Sequence, residues 1–149
     1  MTSSDFWVNL YPMSDVIHSK DLEREVLSGI IKHPHIFPEV DRFLSEQDFF
    51  LRENYAIYCV LRQMVPENIA NNERVNPVLL SERIDNFGMK FHSSFDIFNY
   101  VDGMAFSQIS EKATLDAVRQ LQRKTLLRDC DLKIADEIIN NNDNKDTIK

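Results

Sequence analysis

Apolar residues recur along the chain at helical spacing, in blocks separated by proline or by short polar runs. The first block follows Asp21 and contains Leu22, Val26, Leu27, Ile30 and Ile31, which share one face of a helix. Pro34 predicts the end of this helix near His33, because proline disfavours helical geometry in the residue before it. Proline also suits the first turn of a helix. The second block contains Ile36, Phe37, Val40, Phe43 and Leu44.

The next segment combines a capping signal with a longer apolar block. Ser45 is followed three residues later by Asp48, a pattern that favours a short helical turn. A third full helix is predicted from about Arg52 to Met64, with Pro66 ending it. Residues 66–75 are polar and rich in asparagine, which predicts a loop.

Two further short helices follow. Asn76 and Pro77 are an N-cap residue and a first-turn proline, so they predict the start of a fourth helix. It should close between Asn86 and Gly88. A fifth helix, capped by Ser93 or Ser94, carries Phe95, Ile97, Phe98, Tyr100 and Val101 and is expected to stop near Gly103.

The last helix is predicted to be the longest. It begins at about Ser110 and meets no breaker until the polar run 140–144, so it could reach about 30 residues, or ~45 Å. We expect a helix of this length to project from so small a domain, with its apolar residues in water. Such an exposed stripe usually marks a partner surface.

These elements predict an all-α fold with a compact head of about five short helices followed by one long projecting helix. Only three glycines occur, and no alternating strand pattern flanks them. We divide the 149 residues into an aromatic-rich N-terminal arm (1–18), a helical head (19–109), the long helix (110–140) and a frayed polar tail (141–149).

Charge and composition narrow the range of partners. The net charge is −7, with 24 acidic and 17 basic side chains, so we expect no direct binding of nucleic acid. The two cysteines, Cys59 and Cys130, are expected to be free thiols in a reducing compartment. No apolar run approaches the length of a membrane span, and residues 1–18 do not resemble a signal peptide. We expect a cytoplasmic protein without membrane contact.

The sequence contains no recognisable catalytic, nucleotide-binding or metal-binding motif. A P-loop needs a Gly-Lys pair, and none of Gly29, Gly88 or Gly103 precedes a lysine. His33-Pro34-His35 could supply two metal ligands. The proline, however, makes this segment a helix junction, and no cysteine or acidic cluster lies nearby in the sequence, so we interpret the pair as solvated junction histidines. We therefore predict no catalytic, cofactor-binding or metal-binding residue. An unrecognised enzyme is the alternative, which a pocket of converging titratable groups would revive.

A basic segment lies on the long helix. Residues 119–128, RQLQRKTLLR, contain four basic side chains and no acidic one. They form either a solvated face balanced by the acidic residues that follow or a contact surface for an acidic partner or another subunit. We predict a partner interface with apolar contacts at Leu121, Leu126, Leu127, Ile134 and Ile138, and polar contacts at Arg119, Arg123, Lys124 and Arg128.

Several stretches, in this order, resemble the N-terminal domain of DnaB-type replicative DNA helicases of bacteria and phages. They cover about residues 21–140 and are DLEREVLSGIIKHP, IFPEVDRFLSEQDFF, ENYAIYCVLRQM, VLLSERI and RKTLLRDC. The most distinctive is Leu-Ser-x-x-Asp-Phe. The segment FDIFNYVDGMAF keeps only a tyrosine where the family has a Tyr-Leu pair, and FSQISEKAT replaces a run of small residues.

The resemblance implies that the long helix is the first arm of a helical hairpin, although the chain stops where the second arm would begin. It implies a scaffolding domain that self-associates in a hexamer collar and contacts primase or a helicase loader. ATP and magnesium would bind only in a C-terminal ATPase domain that this segment lacks, so it needs no cofactor.

Either the chain is a fragment of a helicase or it is a free-standing relative. The alternatives are the helicase-binding domain of a primase, and a phage adaptor or inhibitor of a host helicase.

Overall fold

The computed structural model describes the backbone of residues 20–148 and the side chains of residues 20–130, 133 and 134. The predicted N-terminal arm lies outside these residues. The described backbone contains no strand and six α-helices: α1 (Lys20–Lys32), α2 (Phe37–Phe43), α3 (Arg52–Ala70), α4 (Pro77–Asn86), α5 (Ile97–Ala105) and α6 (Glu111–Ile148). Short 3₁₀ turns occupy Pro34–Ile36 and Glu46–Asp48. The all-α prediction, with five short helices before a long one, is confirmed.

Local signals set several of these boundaries as predicted. α1 ends at Lys32, two residues before Pro34. The Ser45 N–H donates to Asp48 Oδ2 at 2.7 Å and completes a capping box. The Asn76 side chain accepts a hydrogen bond from the main-chain N–H of Val78 at 2.9 Å, ahead of a proline in the first turn of α4.

The predicted end of α3 at Pro66 is wrong. The helix continues to Ala70 with Pro66 inside it, and its buried face continues past the proline to Asn68. α3 ends instead in a Schellman motif, in which the Glu73 N–H donates to the Asn68 carbonyl at 2.8 Å and the Asn72 N–H to the Ile69 carbonyl at 3.1 Å. Asn72 adopts the left-handed conformation, with φ of 54°. The predicted loop is therefore confined to the residues after Ala70.

Two other boundaries differ from the prediction. Asp96, and not Ser93 or Ser94, caps α5 by accepting a hydrogen bond from the Asn99 N–H at 3.1 Å, and the helix passes Gly103. α6 extends beyond residue 140 to Ile148. The asparagine run at 140–144 lowers helix propensity by less than about 1 kcal/mol per residue, and it contains neither proline nor glycine, so it does not interrupt the helix.

The chain divides into two compact units. One comprises Ser19–Gln122 and is called the core unit below; the other includes Arg123–Lys149. In the core unit α1 packs on α3 and α5, and α4 packs on α3 and α5. The boundary lies inside α6, because the start of that helix supplies Ala117, Val118 and Leu121 to the core.

Within the part of the chain that the structure describes, no helix has the length and apolar character required to cross a lipid bilayer.

Candidate interaction surface

The first turns of α6 are anchored to the core unit along one side. Thr114, Ala117, Val118 and Leu121 are each at most 2% exposed, and their spacing places them on one face of the helix. Gly29 on α1 lies against this face. A Cβ atom at Gly29 would fall within 3 Å of three side-chain atoms of Thr114, so the glycine permits the close approach of the two helices.

Three side-chain interactions hold the N-terminal end of α6. The Ser110 hydroxyl accepts a hydrogen bond from the Ala113 N–H at 3.1 Å. His33 Nε2 donates to the Ile109 carbonyl at 2.9 Å, which assigns the ring proton to that nitrogen because a carbonyl can only accept. His35 Nε2 lies 2.6 Å from Glu111 Oε1. The two histidines of the His-Pro-His sequence therefore bind protein groups at a helix junction.

Two of the predicted interface residues, Arg119 and Leu121, belong to the core unit, and they differ in exposure. Arg119 is exposed. Leu121 is 2% exposed and lies in the hydrophobic core. The expectation that Leu121 is left in water is therefore wrong: α6 contributes more of its length to the core than the local sequence pattern indicated.

The apolar residues predicted for the interface in the second unit are largely exposed. Leu126 is 58% exposed, Leu127 50% and Ile134 55%. Leu126, Cys130 and Ile134 are spaced four residues apart, so they follow one face of α6, and the Cys130 thiol is exposed and free. We call Leu126, Leu127, Cys130 and Ile134 the apolar stripe. The side chain of Ile138 lies outside the described residues.

The basic residues near the stripe differ in accessibility. Arg123 is exposed, whereas Lys124 and Arg128 are half-buried. Arg128 also interacts with other groups of the chain. Among the predicted polar contacts, the guanidinium groups of Arg119 and Arg123 are thus the most exposed.

A buried carboxylate on α1 binds the start of α3, a feature that the sequence did not predict. Glu23 of α1 is 1% exposed. Its two oxygens accept hydrogen bonds from the main-chain N–H groups of Phe50 and Leu51, both at 3.2 Å, and from Asn54 Nδ2 at 3.1 Å. Negative charge is favourable at the N-terminal end of a helix, and Leu51 is the N-cap residue of α3. The available signal was an acidic residue within the apolar face of α1, beside Val26 and Leu27.

The same network reaches α5 through Tyr100. Its hydroxyl donates to Asn54 Oδ1 at 2.6 Å, and the Arg24 guanidinium lies 5.4 Å from the centre of the Tyr100 ring, within cation–π range. Burial raises the pKa of Tyr100 to about 12, because the phenolate would lose solvation. The network is structural: it fixes α1, α3 and α5 relative to each other.

Among residues 20–130, 133 and 134, no group of three or more histidine, cysteine, aspartate or glutamate side chains is placed to hold a metal ion. The surface features of the described residues include the apolar stripe, the exposed arginines and a cavity at the end of α3.

Comparison with known proteins gives one match. The family model of the DnaB-like helicase N-terminal domain matches residues 15–123, which include the whole core unit. No curated protein and no solved structure matches the chain significantly.

Proposed function

The chain belongs to the DnaB-like helicase N-terminal domain family, and from that premise we propose that it is a protein-contact domain of a replicative helicase that self-associates through α6. The match favours a helicase domain over the helicase-binding domain of a primase. In this proposal the domain itself needs no cofactor, and ATP and magnesium bind a separate ATPase domain.

The apolar stripe is the observation that carries the proposal. Leu126, Leu127 and Ile134 each expose half or more of their side chains, and burying a large aliphatic side chain contributes about 1.5–3 kcal/mol. A second copy that presents the same helix would cover both stripes in one symmetric contact, the commonest arrangement of homodimers.

The basic side chains supply the polar part of the proposed contact. Arg119 and Arg123 are exposed, and arginine is enriched at protein interfaces. In an otherwise acidic chain with a net charge of −7, they favour an acidic surface on the partner. We propose that a primase or a helicase loader, as well as a second copy, contacts this part of α6.

Self-association can be tested by sedimentation equilibrium over a concentration series. We expect the wild-type chain to form a dimer or higher oligomer, and Leu126→Glu with Ile134→Glu to shift the protein towards monomer, because a carboxylate in the contact would be desolvated. Both side chains are exposed, so helicity by circular dichroism should not change.

Phe106→Glu is a matched control. Phe106 is 74% exposed and lies in the core unit, away from the stripe in sequence, so its replacement should leave the mass distribution unchanged. A wild-type chain that stays monomeric at all concentrations, or stripe variants that associate like the wild type, would contradict the assignment.

The contact with primase or a loader needs a separate experiment. Arg119→Glu with Arg123→Glu should weaken binding of an acidic partner surface and reduce the dependence of the dissociation constant on salt. The control is Arg83→Glu on α4. Equal binding by the α6 and α4 variants would exclude Arg119 and Arg123 as partner contacts while leaving self-association untouched.

A further inference from the structure

The charge along α6 changes sign at the apolar stripe. Within the unit that includes Arg123–Lys149, residues 123–128 contain three basic side chains and no acidic one, whereas residues 129–137 contain four acidic side chains and one basic. The stripe itself consists of uncharged residues. The sequence therefore places positive charge towards one end of the stripe and negative charge towards the other.

The positions of the stripe are nearly symmetric about Cys130, whose thiol is exposed. Leu126 lies four residues before it and Ile134 four residues after it, and both side chains are more than half exposed. Arg123 and Glu137 lie seven residues before and after Cys130 along the backbone of α6. Seven residues are close to two helical turns, so these positions follow the same face of the helix.

The two orientations in which a second α6 can cover this face differ in the charges that they bring together. In a parallel pair each position faces its own copy, so Arg123 lies opposite Arg123 and Glu137 opposite Glu137. In an antiparallel pair centred on Cys130, Arg123 lies opposite Glu137 of the second copy, and Leu126 opposite Ile134. Like charges that face each other in a contact cost free energy, whereas opposite charges attract. The charge pattern therefore favours the antiparallel pair.

We infer that two copies of α6 pair in antiparallel orientation, with their Cys130 residues facing each other at the two-fold axis and Arg123 of each copy opposite Glu137 of the other. The inference rests on the self-association proposed above and adds the direction and the register of the contact. The two ends of such a pair are equivalent, as a two-fold symmetric contact requires.

The register can be tested by cross-linking the full chain with bismaleimidoethane, a short thiol-specific reagent. Cys59→Ser leaves Cys130 as the only cysteine, and we expect this variant to form a covalent dimer. The matched control moves the thiol to Arg123→Cys in a Cys59→Ser, Cys130→Ser chain. The two thiols of an antiparallel pair are then about 21 Å apart along the helix, so this variant alone should not cross-link. Mixing it with the corresponding Glu137→Cys chain should restore the covalent dimer.

Sedimentation equilibrium of the same variants separates the possible failures. Variants that dimerise but do not cross-link through Cys130 would overturn the register. Cross-linking of Arg123→Cys with itself would show a parallel pair and overturn the orientation, while self-association through α6 would stand. Variants that stay monomeric, together with a monomeric wild type, would overturn the proposed self-association and this inference with it.

A charge exchange tests the same pairing without cysteine chemistry. Arg123→Glu should raise the dissociation constant of the dimer severalfold, because each copy would then place a carboxylate opposite Glu137 of the other. Adding Glu137→Arg to the same chain should restore the wild-type constant, since opposite charges face each other again. In a parallel pair Arg123→Glu would only replace one pair of like charges with another, so an unchanged dissociation constant would overturn the inference.

Discussion

Gly29 and Thr114 are packed so closely that a Cβ atom added to Gly29 would lie 2.0 Å from Thr114 Oγ1 and 2.6 Å from Thr114 Cβ. Thr114 is fully buried, and its hydroxyl donates to the Ser110 carbonyl at 2.8 Å. The threonine therefore has no open space into which it can move. The contact between Gly29 and Thr114 sets the distance between α1 and the start of α6.

Gly29→Ala should destabilise the core unit by about 1–3 kcal/mol or more, the usual cost of overpacking, as measured by urea unfolding. Gly103→Ala provides the control, because a Cβ there would meet only Arg24 Nη2 at 3.5 Å. Since alanine is the better helix former by about 1 kcal/mol, that variant should match or exceed the wild type. Equal stability of the two variants would show that the helices separate at little cost.

Glu23→Gln should lower the free energy of unfolding by about 3 kcal/mol, because hydrogen bonds to charged groups contribute roughly 1.5–3 kcal/mol each. One carboxylate oxygen becomes an amide nitrogen that cannot accept, so either the Phe50 N–H, or the Leu51 N–H together with Asn54 Nδ2, loses its acceptor. Glu25→Gln, at an exposed position of the same helix, should change stability by less than about 0.5 kcal/mol. A Glu23→Gln protein as stable as Glu25→Gln would refute the proposed role of the buried charge.

The left-handed conformation of Asn72 predicts which substitutions the end of α3 tolerates. Asn72→Gly should be neutral or slightly stabilising, whereas Asn72→Val should cost about 1–2 kcal/mol, since a branched side chain is strained at positive φ. Thermal unfolding can measure both. Asn71→Val is the control, because Asn71 has a φ of −93° and should lose only helix propensity. The prediction fails if valine costs the same at both positions.

Stability should fall at high pH partly through Tyr100. The pKa of its hydroxyl is raised in the folded chain from 10.0 to about 12, so the unfolded chain releases this proton first. The contribution is complete below pH 10 and is lost as the pH rises towards 12. Tyr100→Phe lacks the hydrogen bond to Asn54 and should be less stable at neutral pH, but the gap to the wild type should narrow through this window. A constant gap in urea unfolding across these pH values would contradict the raised pKa.

Local sequence signals predicted those helix ends that depend on one or two adjacent residues. Pro34 after α1, the Ser45 and Asp48 capping box and the Asn76 cap of α4 are of this kind. The helix end predicted at Pro66 was wrong because a proline removes only one hydrogen bond from a helix whose buried face continues beyond it. The true end of α3 depends on the conformation of Asn72, for which the sequence gives only a weak preference.

The exposure of the apolar side chains on α6 was predicted in part, whereas their role as an interface stays a prediction. The sequence identified Leu126, Leu127 and Ile134 as apolar side chains on a long helix, and the structure shows them exposed. The sequence could not show that Leu121, unlike these three residues, is buried. The depth at which α6 enters the core depends on the contact of Gly29 with Thr114, which is distant in the sequence. The cavity at the end of α3 was not predicted, since its walls come from segments more than thirty positions apart.

The carboxylate of Glu23 has a consequence for how the core unit opens. It holds the start of α3 from α1, so separation of α1 from α3 would strand a buried charge, and release of α5 would break the hydrogen bond from Tyr100 to Asn54, which binds the same carboxylate. Partial openings that free one helix alone should therefore be rare, and the slowest-exchanging amide hydrogens of α1, α3 and α5 should share one opening free energy. Replacing this one side chain would then change a cooperative, all-or-none transition into a stepwise one.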